Sequence, residues 1–178
     1  MLFADLRNFT PFVERTTPQQ VLRIINRYFK EMEGAILSQG GLILQFIGDE
    51  IEAVFGAPLP LDDHPTKSMA AAVEMNRGLE RVNRIFVDQG HPPPQHGIGI
   101  HSGKVVAANI GSPSRLSYAL VGDTVNTASR LQDANKRHGT SVIVSAETFQ
   151  RLSREFPLRR LPATELKGKK RSLDIYGL

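Results

Sequence analysis

Hydrophobic positions along this chain fall into two periods. Val21, Ile24, Ile25, Tyr28, Met32 and Ile36 recur every three to four residues, the spacing of one helix face. Thr17 before Pro18 marks the start: a threonine side chain caps the first amides, and a proline at the first helical position gives up no N–H that the helix needs. Gly40 and Gly41 end it. Met69, Val73, Leu79, Val82 and Phe86 predict a second helix, closed by Gly90 and prolines 92–94. Elsewhere the pattern shortens to apolar runs bounded by turn residues, which predict strands. The first is residues 1–4, stopping at Asp5; the next are 42–47 and 51–55, separated by Gly48-Asp49-Glu50, a hairpin with an acidic tip. Residues 97–101 and 105–110 predict a strand pair around Ser102-Gly103-Lys104, and 116–121 another strand. A helix over 123–136, a strand at 142–144, a short helix from Ala146 and strands near Leu158 and over 173–176 complete the expectation.

Strand, helix, hairpin, helix, strand is the order of a ferredoxin-like core. The expected fold class is therefore α+β, a βαββαβ core with αβ additions on its C-terminal side. A length of 178 residues fits one domain over 1–178, without internal repeat or linker. The apolar opening predicts a first strand truncated at its N-terminal side, with regulatory segments upstream in the full-length protein. A chain this long buries enough surface to fold without staples, and it has no Cys.

Charge changes the picture little. The net charge of +4 admits polyanionic partners. The basic residues are spread through helices, however, and the dense cluster at 167–171 lacks aromatics on which bases stack, so a small polyphosphate accounts for them and no nucleic acid is expected. The longest apolar runs fall far short of the ~18 residues that span a bilayer, which predicts no membrane contact by this domain. The lack of cysteine and of a signal-like start predicts a cytoplasmic setting, or the cytoplasmic part of a membrane protein.

Two carboxylates, Asp5 at the end of the first strand and Asp49 at the hairpin tip, are brought together by this topology. Paired aspartates suit Mg²⁺, which takes one or two carboxylates and leaves its other positions to water and phosphates. Either residue alone is ordinary, Asp5 as a turn cap and Asp49 as a hairpin residue. The five histidines have no ligand spacing, and residues 99–104 lack the spacing of a phosphate-binding loop.

Three stretches carry a resemblance: Leu2-Phe3-Ala4-Asp5-Leu6-Arg7-Asn8-Phe9-Thr10, Phe46-Ile47-Gly48-Asp49, and Val121-Gly122-Asp123-Thr124-Val125-Asn126-Thr127-Ala128-Ser129-Arg130. In order and spacing they resemble the class III adenylyl and guanylyl cyclases, over essentially the whole chain. The resemblance implies that Asp5 and Asp49, helped by the backbone carbonyl of Leu6, bind two Mg²⁺ or Mn²⁺ ions per active site. It implies that Asn126 orients the ribose and that Arg130, one helical turn on, stabilises the transition state. Lys167 falls where the family places a lysine on the terminal phosphates, in a register shared with Lys169 and Lys170, and Lys104 at a weaker basic phosphate position. The two purine-reading positions align with Gln45 and Ala119, where adenylyl members commonly carry Lys with Asp or Thr and guanylyl members Glu with Cys. A glutamine amide matches adenine in one orientation and guanine when flipped. The reading that follows is an adenylyl cyclase converting ATP to 3′,5′-cyclic AMP and pyrophosphate at the interface of a homodimer. GTP as substrate, or a silent dimerising domain, is the alternative.

Overall fold

The computed structural model describes residues 1–164 and 172–178. Along the chain run β1 (Leu2–Arg7), α1 (Thr10–Arg15), α2 (Pro18–Ser38), β2 (Leu42–Ile47), β3 (Glu50–Val54), α3 (His64–Asp88) and β4 (Gln95–Ile100). There follow β5 (Val106–Ser112), β6 (Arg115–Val121), α4 (Asp123–His138), β7 (Val142–Ser145), α5 (Ala146–Phe149), β8 (Arg159–Thr164) and β9 (Leu173–Gly177). The main sheet has seven strands in the order β2-β3-β1-β4-β7-β9-β8. Its first four strands, with α2 and α3, are the ferredoxin-like core that the order of elements predicts. β7 joins β4 in parallel, and β9 and β8 extend that side.

Each strand shows its two faces by alternation. Leu2, Ala4, Leu6, Ile51, Ala53, Ile98 and Ile100 point to one side, where α2 and α3 bury Ile24, Tyr28, Met32, Met69, Met75, Val82 and Phe86. The start of α2 is a capping box: the Thr17 side chain accepts from the Gln20 backbone N–H, and the Gln20 side chain accepts from the Thr17 N–H. On the other side α4 crosses β4 and β1. A Cβ on Gly99 would overlap the Gln132 amide nitrogen and the Ala128 carbonyl oxygen, so the helix lies directly on that glycine. Asn135 ties the same helix down, its Nδ2 donating to the Ile98 carbonyl at 2.9 Å while its Oδ1 accepts from the Thr140 hydroxyl at 2.9 Å.

Two expectations are corrected and one helix is added. Residues 97–101 and 105–110 are not a strand pair: β4 lies between β1 and β7 in the main sheet, and β5 pairs with β6, from Val106 opposite Val121 to Ser112 opposite Arg115, as a separate ribbon. Ile98 and Ile100 are buried in the sheet, whereas β5 is exposed along nearly all its length, so the two belong to different environments. β1 continues two residues past Asp5 and places it inside the strand. The short α1 had no periodic signal, since Phe12 is its one buried residue. Among the described residues no helix is long and apolar enough to cross a membrane.

Candidate active site

Asp5 lies in β1 opposite Gly97 of β4, one residue beyond the pair formed by Ala4 and Ile51. Its alternation with Ala4 and Leu6 turns it to the α4 side of the sheet, away from the apolar core. Asp49 follows Gly48, whose φ of 63° turns the chain tightly between β2 and β3. Asn8, at φ 61°, bends the chain out of β1 toward α1. Asp5, Leu6, Asn8, Asp49 and Lys136 line one cavity of about 420 Å³. The structure thus brings together the carboxylates and the Leu6 backbone that the sequence singles out.

Arg7 and Lys136 also line the cavity, and they offset its carboxylates only in part. Burial, and then Asp49, push the Asp5 carboxyl up to about 6, with Asp133 adding to the rise and Lys136 and Arg7 opposing it. Glu50 is pushed up to about 7 by burial and then by Asp5, Asp133, Glu52 and Asp49. Crowded carboxylates that resist ionisation are relieved by a cation, so this donor set fits a divalent ion. Among the described residues no group of three or more His, Cys, Asp or Glu is arranged as a metal cage. A two-carboxylate site agrees with Mg²⁺, which keeps water and phosphate oxygens in its other positions.

Asn126 and Arg130 are elsewhere. Both lie on α4, Asn126 exposed and Arg130 half-buried, and neither lines the cavity. Ten residues separate Asn126 from Lys136, about 15 Å along a helix axis, so the two ends of α4 serve different places. Lys104 is exposed in the loop between β4 and β5, where its backbone carbonyl accepts from the Thr124 hydroxyl at 2.7 Å; it does not line the cavity. Lys167, with Lys169 and Lys170, lies outside the described residues.

The deciding comparison is with protein families: the model described as "Adenylate and Guanylate cyclase catalytic domain" matches residues 1–178. The chain belongs to this family. Its fold class is that of the solved cyclase domains. The guanylyl cyclase Cya2 superposes with a TM-score of 0.90 at 34% identity, covering 99% of this chain and 88% of that one. The adenylyl cyclase CyaB from P. aeruginosa gives 0.91 at 27% identity, covering 99% and 90%. "Adenylate cyclase 1" of Rhizobium meliloti is 33% identical over 98% of this chain, and the chain spans 26% of that protein's length.

Of the two residues that the sequence resemblance puts forward for purine reading, Gln45 lies in β2 and Ala119 in β6 of this cyclase domain. Ala119 is half-buried and sits opposite Ala108. The register of β2 against β3 shifts between Ile43, opposite Ala53, and Gln45, opposite Glu52, so that Leu44 is an extra residue in the strand. Without that bulge Gln45 would share the core face with Ile43. With it, Phe46 packs on Phe29 of α2 at 4.3 Å between ring centroids, and Gln45 turns to the other face. There its Nε2 donates to Glu52 Oε2 at 2.7 Å. Glu52 was missed in the sequence, where one acid in the run 51–55 reads as a solvent-facing position; it is 7% exposed.

Proposed function

We propose that the domain converts ATP to 3′,5′-cyclic AMP and pyrophosphate at sites shared by two copies of the chain. The observation that carries this reading is the separation of Asp5 and Asp49, in one cavity, from Asn126 and Arg130, which lie outside it on α4. Each chain then holds two complementary halves, and a head-to-tail pair completes both.

In the reaction the ribose 3′-hydroxyl attacks the α-phosphorus and pyrophosphate leaves in line, with no covalent intermediate. Asp5, Asp49 and the Leu6 carbonyl would hold two Mg²⁺ or Mn²⁺ ions, which supply charge neutralisation for the triphosphate and acidify the attacking hydroxyl. Asn126 of the second copy orients the ribose, and its Arg130 meets the negative charge that develops at the α-phosphate. Lys167 serves the terminal phosphates, with Lys104 as a further basic contact. Gln45 reads the purine edge beside Ala119. Catalysis rests on positioning and on fixed charge rather than on a dedicated base. ATP is favoured because the Rhizobium meliloti relative carries the adenylate cyclase name. GTP remains the second reading on the likeness to Cya2. The domain would work in the cytoplasm, where its nucleotide is, or as the cytoplasmic part of a membrane protein, with regulatory segments elsewhere in a longer chain.

The test mixes two inactive variants, Asp49→Ala and Arg130→Ala. Co-incubation restores cyclic nucleotide formation because each mixed dimer contains one intact site; failure of rescue despite proven subunit exchange sinks the shared site. No cyclic product from the dimeric wild type with either nucleotide leaves a silent dimerising domain instead.

A further inference from the structure

Glu52 is an acid where an apolar residue is expected. It lies inside β3 between Ile51 and Ala53, both fully buried, and is itself 7% exposed. Among the described residues the Gln45 Nε2 supplies its one hydrogen bond, at 2.7 Å, and no cationic side chain forms an ion pair with it. The N-terminal ammonium of Met1 is an opposite charge within electrostatic reach, but it donates to the His101 carbonyl. The Gln45 amide is therefore the described hydrogen-bond donor to this buried carboxylate and would be costly to lose. Its setting is specific: the bulge at Leu44 puts Gln45 directly opposite Glu52, on the face that carries Asp5.

A carboxylate accepts hydrogen bonds. The Gln45 amide must therefore turn its nitrogen toward Glu52, and its carbonyl is held on the other side. A free glutamine reads adenine one way up, donating to N1 and accepting from the N6 amine, and guanine the other way up, accepting from N1–H and donating to O6. Turning the amide over here would set its carbonyl oxygen against a buried carboxylate, which leaves both acceptors without a donor.

We propose that Glu52 determines purine selection through Gln45, holding its amide in one of the two orientations so that one purine is matched and the other refused. This rests on the reading of Gln45 as a base contact. Glu52 acts as a positioning residue and touches the nucleotide only through its neighbour.

The test compares kcat/KM for ATP and GTP in the purified domain with Mg²⁺. Glu52→Gln keeps the shape and the hydrogen bond but satisfies the Gln45 amide either way up. The expected result is a wild-type preference that falls toward unity by about tenfold, the size of one well-formed bidentate contact, while the Mg²⁺ concentration for half-maximal rate and the melting temperature stay in place. Glu52→Leu, which fills most of the space without any acceptor, should relax the ratio in the same sense. In a Gln45→Ala background Glu52→Gln should add nothing further to the ratio. A Glu52→Gln ratio equal to wild type, or a wild-type ratio already near unity, overturns the proposal. The two layers separate cleanly: Gln45→Ala without effect on the ratio removes the base contact itself, whereas an effect of Gln45→Ala with none of Glu52→Gln removes only the role of Glu52.

Discussion

The two faces of the main sheet differ in what they bury. Toward α2 and α3 it presents Leu2, Ala4, Leu6, Ile51, Ala53, Ile98 and Ile100, all nearly inaccessible and packed against helix side chains. Toward α4 the same strands present Asp5, Arg7, Glu50 and Glu52, with Gln45 added by a bulge, beside a smaller apolar patch in which Phe3 and Val54 cluster with Ala128 of α4. One residue step along β1 separates the two regimes. The first face holds the largest apolar core; the second sets concentrated charge beside smaller apolar clusters, a pattern in which function is maintained against the folding optimum.

That contrast can be attacked on either side. The largest effect belongs to the charged face: Asp49→Ala should lower kcat at least about a thousandfold, since a lost metal ligand removes several kcal/mol of transition-state stabilisation, with the melting temperature no lower than wild type. A parallel loss of folded protein would contradict the division. On the apolar face Phe86→Ala should cost about 3 to 5 kcal/mol of unfolding free energy, measured by urea titration, through the cavity it leaves among Phe12 and its neighbours. An intermediate effect is expected at His96, which is 2% exposed and has its ring held down to about 3 by burial and then by Arg7. The unfolded ring binds its proton near 6.5 and the folded ring does not, so stability should fall as pH drops from 6.5 toward 3, by up to about 1.4 kcal/mol per pH unit. Replacement by Gln should flatten that slope in a pH series of melting curves. The smallest effect is a gain: Asp5→Asn, in metal-free protein above pH 6, should stabilise by about 1 kcal/mol after solvent screening. It removes a charge that the fold resists, and the gain should fade as pH falls through 6.

Much of this was legible because it is local. The start of α2 follows from Thr17 and Pro18 alone, and the spacing of the apolar runs orders the core strands. Asp5 and Asp49 could be paired because a ferredoxin-like order brings the first strand beside the hairpin. What escaped depends on distant partners. Ser102-Gly103-Lys104 has the look of a hairpin turn, but which strand β4 joins is decided by β1 and β7, remote in sequence. The extra Leu44 is invisible in an all-apolar run, and with it the pairing of Gln45 and Glu52. Shifts in acidity at Asp5 and Glu50 arise from burial and from Asp133 on α4, which no motif records.

Gly99 has a mechanical consequence. With its backbone against Gly99 at Ala128 and Gln132, and Asn135 bonded to the Ile98 carbonyl, the middle of α4 is seated directly on the sheet. In the shared-site dimer proposed above, Asn126 and Arg130 would then change their distance to Asp5 and Asp49 of the facing copy by a shift of one subunit against the other rather than by sliding of α4 on its own sheet.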